Sequence, residues 1–256
     1  MEALAEFDLT GRTAIVTGGN GGIGKGIATG LARAGANVVI AARDEAKSAV
    51  ALDEFRSAGY RAATVRCDVS VDGDAERAVR VAVETFGGLS ILVNNAASFD
   101  ESVGSQAIDA WDGMFRTNVR GPYVFALAAR DAMKAAGSGK IINISSGAST
   151  IAFPGLPGYG ASKSALDHLT RSLALAFAPY NIQVNSLLPG AFRTPTNRFE
   201  GPAEEAWIKL TPAKRIGDAS EFAGVAIFLA SRASDYMTGQ VFAFDGGVTI
   251  PALGPK

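Results

Sequence analysis

Residues 13–44, TAIVTGGNGGIGKGIATGLARAGANVVIAARD, decide the fold. The β-branched run Thr13–Thr17 predicts a strand, a glycine-rich turn leads into a helix over about 23–34, and Asn37–Ala42 predicts a second strand. Strands joined through one helix are parallel, because the crossover returns the chain to the same edge of the sheet. The chain therefore begins with a βαβ unit.

The same alternation of apolar strands and helical segments continues along the rest of the chain. The strands are continuous apolar runs, which is typical of a parallel sheet covered by helices on both faces. We expect a single α/β domain over residues 1–256, a doubly wound parallel sheet of about seven strands flanked by helices. The irregular segment 191–214 is long for a connection, which favours a lid over a substrate. The further strands are predicted at 62–67, 89–93, 140–144, 182–187 and 241–244.

Composition and charge argue against several classes of protein. The formal net charge is −1, so no basic surface points to nucleic acid or to an anionic membrane. No apolar run reaches transmembrane length, and the N-terminus lacks a signal-peptide pattern. Cys67 is the only cysteine and His168 the only histidine, which argues against disulfides, thiolate or histidine metal sites and His-based triads. We therefore expect a cytoplasmic protein with no metal, no nucleic-acid partner and no membrane association.

The turn TGGNGGIG at 17–24 has the character of a dinucleotide-binding loop. Its glycines let the backbone turn tightly and approach a ligand, and the helix that follows presents free N–H groups to a pyrophosphate. The spacing is G-x-x-x-G-x-G rather than G-x-G-x-x-G, but the physical reason is the same. The predicted cofactor-binding residues of this turn are Gly18, Asn20, Gly22, Ile23 and Gly24.

The end of the second strand predicts which nicotinamide cofactor is used. An acidic residue there holds the 2′-hydroxyl of NAD, whereas an arginine accommodates the 2′-phosphate of NADP. Here Ala42 stands where the acidic residue is expected, and Arg43 follows it. We therefore predict NADP. NAD stays an alternative because Asp44 has two open roles: it either caps the next helix, or it pairs with Arg43 and repels a phosphate.

A second informative stretch is GKIINISSGASTIAFPGLPGYGASK, residues 139–163. A strand leads into a serine pair and a Gly/Pro-rich loop, and then a helix places Tyr159 and Lys163 one turn apart on one face. A nearby cation favours phenolate and lowers the pKa of a tyrosine from about 10, which makes it usable as an acid or base. On its own, Tyr-x-x-x-Lys is equally an exposed amphipathic pair, so its interpretation depends on the other motifs.

Together these motifs resemble the short-chain dehydrogenase/reductase family, and the resemblance covers nearly the whole chain. CDV at 67–69 resembles the segment whose Asp contacts the adenine, and NNAA at 94–97 resembles NNAG, with alanine in place of the glycine. PGAFRT at 189–194 resembles the segment that holds the nicotinamide amide. The resemblance implies a Rossmann fold with further cofactor contacts from Asp68, Val69, Asn95, Ala96, Tyr159, Lys163, Pro189, Gly190, Phe192 and Thr194.

The resemblance also implies a catalytic set of Asn118, Ser146, Tyr159 and Lys163. Ser146 lies thirteen residues before Tyr159, the usual spacing of the family, which favours it over Ser145. In reduction, hydride passes to a ketone carbon, Tyr159 protonates the carbonyl oxygen and Ser146 polarises it. Lys163 is expected to lower the pKa of Tyr159 and, by resemblance, to hold the nicotinamide ribose, while Asn118 anchors a water of a proton relay. The expected function is an NAD(P)-dependent oxidoreductase that interconverts a ketone and a secondary alcohol.

The substrate is left open between two chemical classes. Aromatic residues around the expected pocket suit a hydrophobic ketone, whereas Asn197 and Arg198 suit a sugar or sugar acid. The C-terminal flank resembles the branch of 3-oxoacyl-carrier reductases and gluconate-type dehydrogenases, so an NAD-dependent sugar or sugar-acid dehydrogenase is the alternative. The residues predicted to line the pocket are Phe99, Ser146, Ala148, Phe153, Tyr159, Phe192 and Trp207.

The sequence also bears on two other functions and on the number of subunits. A dinucleotide-binding regulator without catalysis predicts a broken Ser-Tyr-Lys set, and here the set is intact. A lyase, isomerase or epimerase on this scaffold usually has a sugar-nucleotide domain, of which the sequence shows no sign. Family members with this pattern are commonly tetramers, and the alanine-rich faces of the helices expected near 106–136 and 158–178 predict a homotetramer.

Overall fold

The computed structural model describes residues 2–99, 108–194 and 199–250. After a short 3-10 turn at Glu2–Phe7, strands and helices alternate. The strands are β1 Thr13–Thr17, β2 Asn37–Ala42, β3 Ala62–Arg66, β4 Ile91–Asn94, β5 Gly139–Ile144, β6 Ile182–Pro189, β7 Phe192–Arg193, β8 Gly217–Asp218 and β9 Val241–Phe244. The helices are α1 Gly22–Arg33, α2 Glu45–Ser57, α3 Asp74–Phe86, α4 Ile108–Phe115, α5 Gly121–Ala135, α6 Pro157–Phe177, α7 Gly201–Leu210 and α8 Phe222–Ala230.

Seven of the strands form one parallel sheet in the order β3-β2-β1-β4-β5-β6-β9. The chain builds outward from β1 on one side and from β4 on the other, so the order reverses between these two neighbours. At such a switch point the loops that follow the two strands part, and a crevice opens at their carboxyl ends. The predicted dinucleotide turn after β1 lies at this crevice.

Helices cover both faces of the sheet. Successive residues of β1 belong to opposite apolar cores, since Ile15 packs into one and Val16 into the other. Helices α1, α2 and α8 close the core around Val16, and α3, α5 and α6 close the core around Ile15. Consecutive strand positions are apolar because both of their directions lead into protein. The predicted doubly wound α/β fold with a seven-stranded parallel sheet is confirmed.

Three segments differ in detail from the sequence-based expectation. A π-helical turn, Arg116–Arg120, separates α4 from α5, where two plain helices were expected. The segment 191–214, expected to be irregular, contains α7 and is bracketed by the two-stranded sheet of β7 and β8. The last helix was expected to begin at Asp218; there Asp218 and Glu221 form a capping box that starts a 3-10 turn, and this turn leads into α8.

Neither a membrane-spanning helix nor a metal-binding cluster occurs in the described ranges. None of the helices there is both long and apolar enough to cross a membrane. The same residues contain no group of three His, Cys, Asp or Glu side chains that could hold a metal ion. Cys67 is buried, and burial raises the pKa of its thiol to about 12, so it stays a neutral thiol.

Helices α1 and α8 approach each other through glycines of α1. A Cβ atom at Gly30 would lie 2.6 Å from the Cα atom of Ala223, and one at Gly26 would overlap the carbonyl group of Ala219. These neighbours are backbone atoms, which cannot rotate out of the way. The spacing of the two helices therefore requires glycine at both positions.

We expect Gly30→Ala to lower the free energy of unfolding by about 2 kcal/mol, because α1 and α8 must separate. Gly224→Ala on α8 is the matched control, since nothing lies within 4 Å of its Cβ position. That variant should raise the free energy of unfolding by about 0.5–1 kcal/mol through helix propensity alone. Urea unfolding followed by circular dichroism measures both. A stabilising effect at both positions would contradict the close contact.

Candidate active site

The turn between β1 and α1 has a backbone that glycine alone adopts easily. Gly18 and Gly22 have φ angles of +67° and +52°. A Cβ atom at Gly24 would overlap the Asn95 amide and the Gly18 carbonyl group. Helix α1 begins after Gly21, which offers no side-chain cap to the first N–H groups. Donors without a cap behind a glycine-rich turn are what a pyrophosphate requires, so these residues fit the nicotinamide dinucleotide predicted from the sequence.

Asn20 and Ile23 support the turn from the protein side. The Asn20 amide donates hydrogen bonds to Ser48 Oγ at 3.0 Å and to the Asp44 carbonyl oxygen at 3.3 Å. Ile23 packs against the apolar core beneath α1. The side chains of both residues therefore hold the turn in place, which leaves their backbone as the part that can face a cofactor.

Thr17 ties the glycine turn to the end of β4. Its Oγ1 accepts hydrogen bonds from the backbone N–H groups of Asn95 at 2.9 Å and Ala96 at 3.0 Å. The Asn95 amide donates in return to the Thr17 carbonyl oxygen at 2.9 Å. The sequence motifs identify Asn95 and Ala96 as site residues but not Thr17. Its signal was its place as the last residue of β1, directly before the glycines.

The end of β2 settles the role of Asp44. Its Oδ1 accepts the backbone N–H of Lys47 at 2.9 Å, so the carboxylate caps α2. Arg43 pairs instead with Asp68, with a side chain that is 77% exposed and a guanidinium 3.9 Å from Asp68 Oδ2. Of the two alternatives that the sequence left open, the structure shows the cap.

Asp68 and Val69 follow β3 on the far side of the crevice. Asp68 Oδ1 accepts hydrogen bonds from the backbone N–H of Ser70 at 3.0 Å and from its hydroxyl at 2.7 Å. Burial acts to raise the pKa of Asp68, but these hydrogen bonds and the charge of Arg43 outweigh it and the pKa is lowered. Val69 packs over Gly121, where a Cβ atom would lie 2.9 Å from the Val69 carbonyl oxygen.

Tyr159 and Lys163 lie on the first turns of α6, beside the carboxyl end of β5. Lys163 is 2% exposed, and its Nζ donates a hydrogen bond to the Ile144 carbonyl oxygen at 2.7 Å. The same Nζ lies 5.7 Å from the centroid of the Tyr159 ring. The pair predicted from the i, i+4 spacing is therefore brought together at the end of the sheet.

Burial controls the charge of this pair. Desolvation raises the pKa of Tyr159, and a hydrogen bond with Ser146 offsets part of the rise. Desolvation lowers the pKa of Lys163 to about 8, against the opposing charge of Asp167. Lys163 is expected from the sequence to lower the pKa of Tyr159, but the net shift of that pKa is upward, because the cost of burying a phenolate outweighs the hydrogen bond with Ser146. At pH 7 the pair is a neutral phenol beside a largely protonated ammonium.

Ser146 and Ser145 follow β5 but face different ways. Ser146 Oγ accepts the backbone N–H of Ala148 at 3.2 Å and interacts with the Tyr159 hydroxyl. Ser145 is buried, and its Oγ donates to the Lys163 carbonyl oxygen at 3.5 Å. The hydroxyl of Ser146 is thus the one near Tyr159.

Asn118 lies in the π-helical turn and joins two parts of the site. Its Oδ1 accepts the backbone N–H of Ser98 at 2.8 Å, and its Nδ2 donates to the Ser98 carbonyl oxygen at 2.9 Å and to Ser162 Oγ at 3.0 Å. Ser162 Oγ donates in turn to the Tyr159 carbonyl oxygen at 2.7 Å. The sequence analysis missed Ser162, whose only signal was its place next to Lys163 on a helix already of interest.

The segment after β6 crosses the glycine turn. Pro189 ends β6, and Gly190 passes so close to Asp245 that a Cβ atom would lie 2.7 Å from the Asp245 Cα. Further along, the Cβ atom of Thr194 lies 3.4 Å from the Cβ position of Gly22. The predicted nicotinamide-amide segment and the predicted pyrophosphate turn are therefore neighbours.

Phe192 lies elsewhere than the sequence analysis expected. Its side chain is 6% exposed, and its ring centroid is 4.6 Å from that of Phe222 and 5.7 Å from that of Phe244. It belongs to the apolar core beneath α1 and α8. A side chain enclosed by these rings is not a wall of the substrate pocket, so any contact of this residue with a ligand is through its backbone.

Aromatic side chains surround Tyr159 and the loop before it. Phe99 packs edge-to-face on Tyr159 with ring centroids 4.9 Å apart. Trp207 of α7 lies 5.6 Å from Phe153 and 6.0 Å from Phe199. These contacts bring α7 against the Gly/Pro-rich loop before Tyr159. Ala148, the predicted pocket residue at the start of this loop, is buried. The predicted pocket residues Asn197 and Arg198 lie outside the described residues.

Comparison with known proteins shows similarity along most of the chain. The family model described as "Enoyl-(Acyl carrier protein) reductase" matches residues 18–249. Gluconate 5-dehydrogenase of Gluconobacter oxydans is 39% identical over 95% of this chain and 97% of that protein. Dehydrogenase/reductase SDR family member 4 of Bos taurus is 37% identical over 93% of this chain and 88% of that protein. The crystal structure of a gluconate 5-dehydrogenase from Burkholderia cenocepacia in complex with NADP and tartrate is 39% identical, covers 98% of this chain and 100% of that one, and has a TM-score of 0.92.

The buried Lys163 gives a testable pH dependence of stability. Its pKa is about 8 in the folded protein and 10.5 for an unperturbed lysine, as in the unfolded chain, so between these pH values the unfolded state binds more protons and stability rises with pH. We expect the free energy of unfolding of the wild type to rise relative to Lys163→Met by about 3 kcal/mol at most across this window. Urea unfolding at several pH values measures it, with the exposed-site variant Lys209→Met as control. Parallel curves for wild type and Lys163→Met would contradict the assignment.

Proposed function

The chain belongs to the short-chain dehydrogenase/reductase family, and on that basis we propose that Tyr159 is the acid and base of its reaction. The protein is an NAD(P)-dependent oxidoreductase that acts on C=O and CH–OH groups of a small molecule, so the predicted family and enzyme class are confirmed. The observation that supports the role of Tyr159 best is its meeting with Lys163 and Ser146 at the carboxyl end of β5.

Tyr159 suits proton donation to a ketone. Because its pKa is raised, the phenol keeps its proton at neutral pH until a substrate oxygen accepts it. As the proton moves to that oxygen, the bonding electrons stay on the tyrosine oxygen, and the ammonium of Lys163 stabilises the phenolate that forms. The Ser146 hydroxyl donates a hydrogen bond to the same substrate oxygen and favours the charge that develops there. Oxidation of a secondary alcohol returns the proton by the same route.

The residues of the crevice hold the cofactor in this proposal. The nicotinamide supplies the hydride for reduction and accepts it in oxidation. The glycine turn binds the pyrophosphate, and the segment from Pro189 to Thr194 lies next to it on the nicotinamide side. Lys163 is the proposed partner of the nicotinamide ribose. The full proposed set is Gly18, Asn20, Gly22, Ile23, Gly24, Arg43, Asp68, Val69, Asn95, Ala96, Tyr159, Lys163, Pro189, Gly190, Phe192 and Thr194.

Asn118 acts as a positioning residue in this scheme. Its side chain is fully engaged by Ser98 and Ser162, and Ser162 holds the Tyr159 carbonyl oxygen. The amide therefore sets the distance between the loop after β4 and the helix that carries Tyr159. The family resemblance implies that Asn118 also anchors a water of a proton relay.

We propose NADP as the preferred cofactor. Ala42 places no carboxylate at the end of β2, and the carboxylate of Asp44 is used to cap α2. The guanidinium of Arg43 is exposed, and its loose ion pair with Asp68 at 3.9 Å leaves N–H donors for a 2′-phosphate. The similar enzyme of Burkholderia cenocepacia binds NADP, which supports the same preference here.

A sugar-acid substrate is the second candidate. Two similar proteins are gluconate 5-dehydrogenases, and one of them was crystallised with tartrate, a hydroxy acid. The aromatic side chains Phe99, Phe153 and Trp207 serve either a hydrophobic ketone or the apolar face of a sugar chain. The substrate class is therefore either a simple ketone or a polyhydroxy acid.

We further propose a homotetramer in the cytoplasm. Apolar side chains stand exposed on the helices expected to form subunit contacts, namely Tyr123 and Leu127 on α5 and Leu175 on α6, the last 81% exposed. Such side chains favour burial against another copy of the chain. The single buried thiol of Cys67 suits a reducing compartment.

A substrate panel tests the proposed function. Ketones, secondary alcohols, sugars and sugar acids are each assayed with NADPH or NADP and with NADH or NAD, following nicotinamide absorbance. We expect stoichiometric turnover and a preference for the phosphorylated cofactor. A gluconate-type hit selects the sugar-acid candidate, whereas a preference for the unphosphorylated cofactor would overturn the proposed role of Arg43.

Replacement of the proposed acid provides the mechanistic test. Tyr159→Phe removes the transferable proton and should lower kcat by about three orders of magnitude or more, because general acid catalysis is lost. Cofactor affinity, measured by fluorescence titration, should stay within about twofold of the wild type. Tyr180→Phe, at a partly exposed tyrosine away from the site, should leave both quantities unchanged. Near-normal turnover in Tyr159→Phe would rule out the role given to it.

Trp207 is expected to shape the substrate wall. Trp207→Ala removes the ring that packs on Phe153 and should raise KM for the substrate by about tenfold with a smaller change in kcat. The affinity for the cofactor should not change. Tyr236→Ala, which removes a fully exposed ring, is the control. An unchanged KM for the substrate in Trp207→Ala would place the substrate away from α7.

A further inference from the structure

The part of the crevice beside β2 contains a cation that no motif identifies. Lys47 lies in the first turn of α2, and its side chain folds back onto the glycine turn. Its Nζ lies 2.5 Å and its Cε 2.8 Å from the position that a Cβ atom at Gly21 would occupy. Within residues 2–99, 108–194 and 199–250, no carboxylate forms an ion pair with this ammonium. Its charge is therefore available next to the turn.

Hydrogen bonds fix the backbone that carries Lys47. The Asn20 amide ties the glycine turn to Ser48 Oγ and to the Asp44 carbonyl oxygen, and Ser48 is buried. The Asp44 carboxylate caps the N–H of Lys47 itself. The first turn of α2 and the turn before α1 therefore form one unit, from which the Lys47 side chain reaches over Gly21.

The acidic groups nearby are already engaged. Asp44 is a helix cap, and Glu45 lies 3.8 Å from Arg66 in an exposed ion pair. Asp68 Oδ1 accepts two hydrogen bonds from Ser70, and its Oδ2 lies 3.9 Å from the exposed Arg43 guanidinium. The end of β2 therefore carries the cations Arg43 and Lys47, of which only Arg43 forms an ion pair within the described residues. Two such cations favour a dianionic group such as a phosphate.

We propose that Lys47 is a specificity-determining residue that binds, together with Arg43, the 2′-phosphate of the adenosine ribose. The inference rests on the proposed preference for NADP, and it adds Lys47 to Arg43 as a second residue that binds the phosphate. Gly21 belongs to the same arrangement, because a side chain there would occupy the place of the Lys47 ammonium. Arg43 approaches from the strand end and Lys47 from the helix, so the phosphate is held from two directions.

Equilibrium binding tests the role of Lys47 without relying on turnover. NADPH and NADH are titrated into wild type and Lys47→Gln, with nicotinamide fluorescence as the signal. The variant should bind NADPH about tenfold more weakly and NADH within about twofold of wild type, because only the phosphate loses a charged partner. Arg56→Gln is the matched control, since it removes one positive charge from the last turn of the same helix, about 13 Å along its axis. It should change neither affinity.

A fragment probe separates the phosphate from the rest of the cofactor. Adenosine 2′,5′-bisphosphate should lose affinity in Lys47→Gln about as much as NADPH, and 5′-AMP should not. The loss should shrink at high salt, where wild-type phosphate binding also weakens. Thermal unfolding of the variant checks that the exposed substitution leaves the fold intact.

The outcomes distinguish this inference from the proposed function. Equal weakening of NADPH and NADH in Lys47→Gln, or no weakening of either, overturns the role of Lys47 while the Tyr159 reaction stands on its own assay. A wild type that turns over substrate without preferring NADPH also overturns it. If Lys47→Gln selectively loses NADPH binding but the wild type turns over neither ketones nor alcohols, the role of Lys47 is supported and the proposed reaction is rejected.

Discussion

The crevice depends on one hydroxyl group at the switch point of the sheet. Thr17 is the last residue of β1, and its Oγ1 accepts the N–H groups of Asn95 and Ala96 at the end of β4. These are the two strands between which the order reverses, so their loops would otherwise separate freely. The Asn95 amide donates a hydrogen bond to the Thr17 carbonyl oxygen. It also lies so close to Gly24 that no side chain fits at position 24. The turn that holds the cofactor is therefore built on a link between two parallel strands.

Desolvation, more than attraction between neighbours, sets the chemistry of the catalytic pair. Tyr159 and Lys163 are both drawn toward their neutral forms, the tyrosine by a raised pKa and the lysine by a pKa lowered to about 8. The Ile144 carbonyl oxygen holds the ammonium in place, so it lies beside the ring without removing the phenolic proton. A neutral acid beside a largely charged lysine is ready to donate a proton and to stabilise the phenolate left behind. Asn118, through Ser162, fixes the helix on which this depends.

Helix capping has a functional consequence at the end of β2. Asp44 and Arg43 are neighbours in the sequence, and their charges could have cancelled. The carboxylate of Asp44 accepts the N–H of Lys47, Arg43 stays exposed beside Asp68, and the Lys47 ammonium lies over Gly21. The hydrogen bond that starts the helix thereby fixes the backbone that carries Lys47 to the glycine turn. The capping box of Asp218 and Glu221, by contrast, starts the 3-10 turn that leads into α8.

The sequence by itself determined the fold class, the strands and the cofactor turn. Strands buried on both faces must be apolar at every position, and Gly18, Gly22 and Gly24 stand where the backbone must bend and a ligand approach. Only the tertiary structure decided how distant residues act on one another. It buried Phe192 among core rings, reversed the direction expected for the pKa of Tyr159, and revealed Thr17 and Ser162 as structural links. These outcomes depend on desolvation and on contacts between strands and helices far apart in the chain, and neither quantity has a local signature in the sequence.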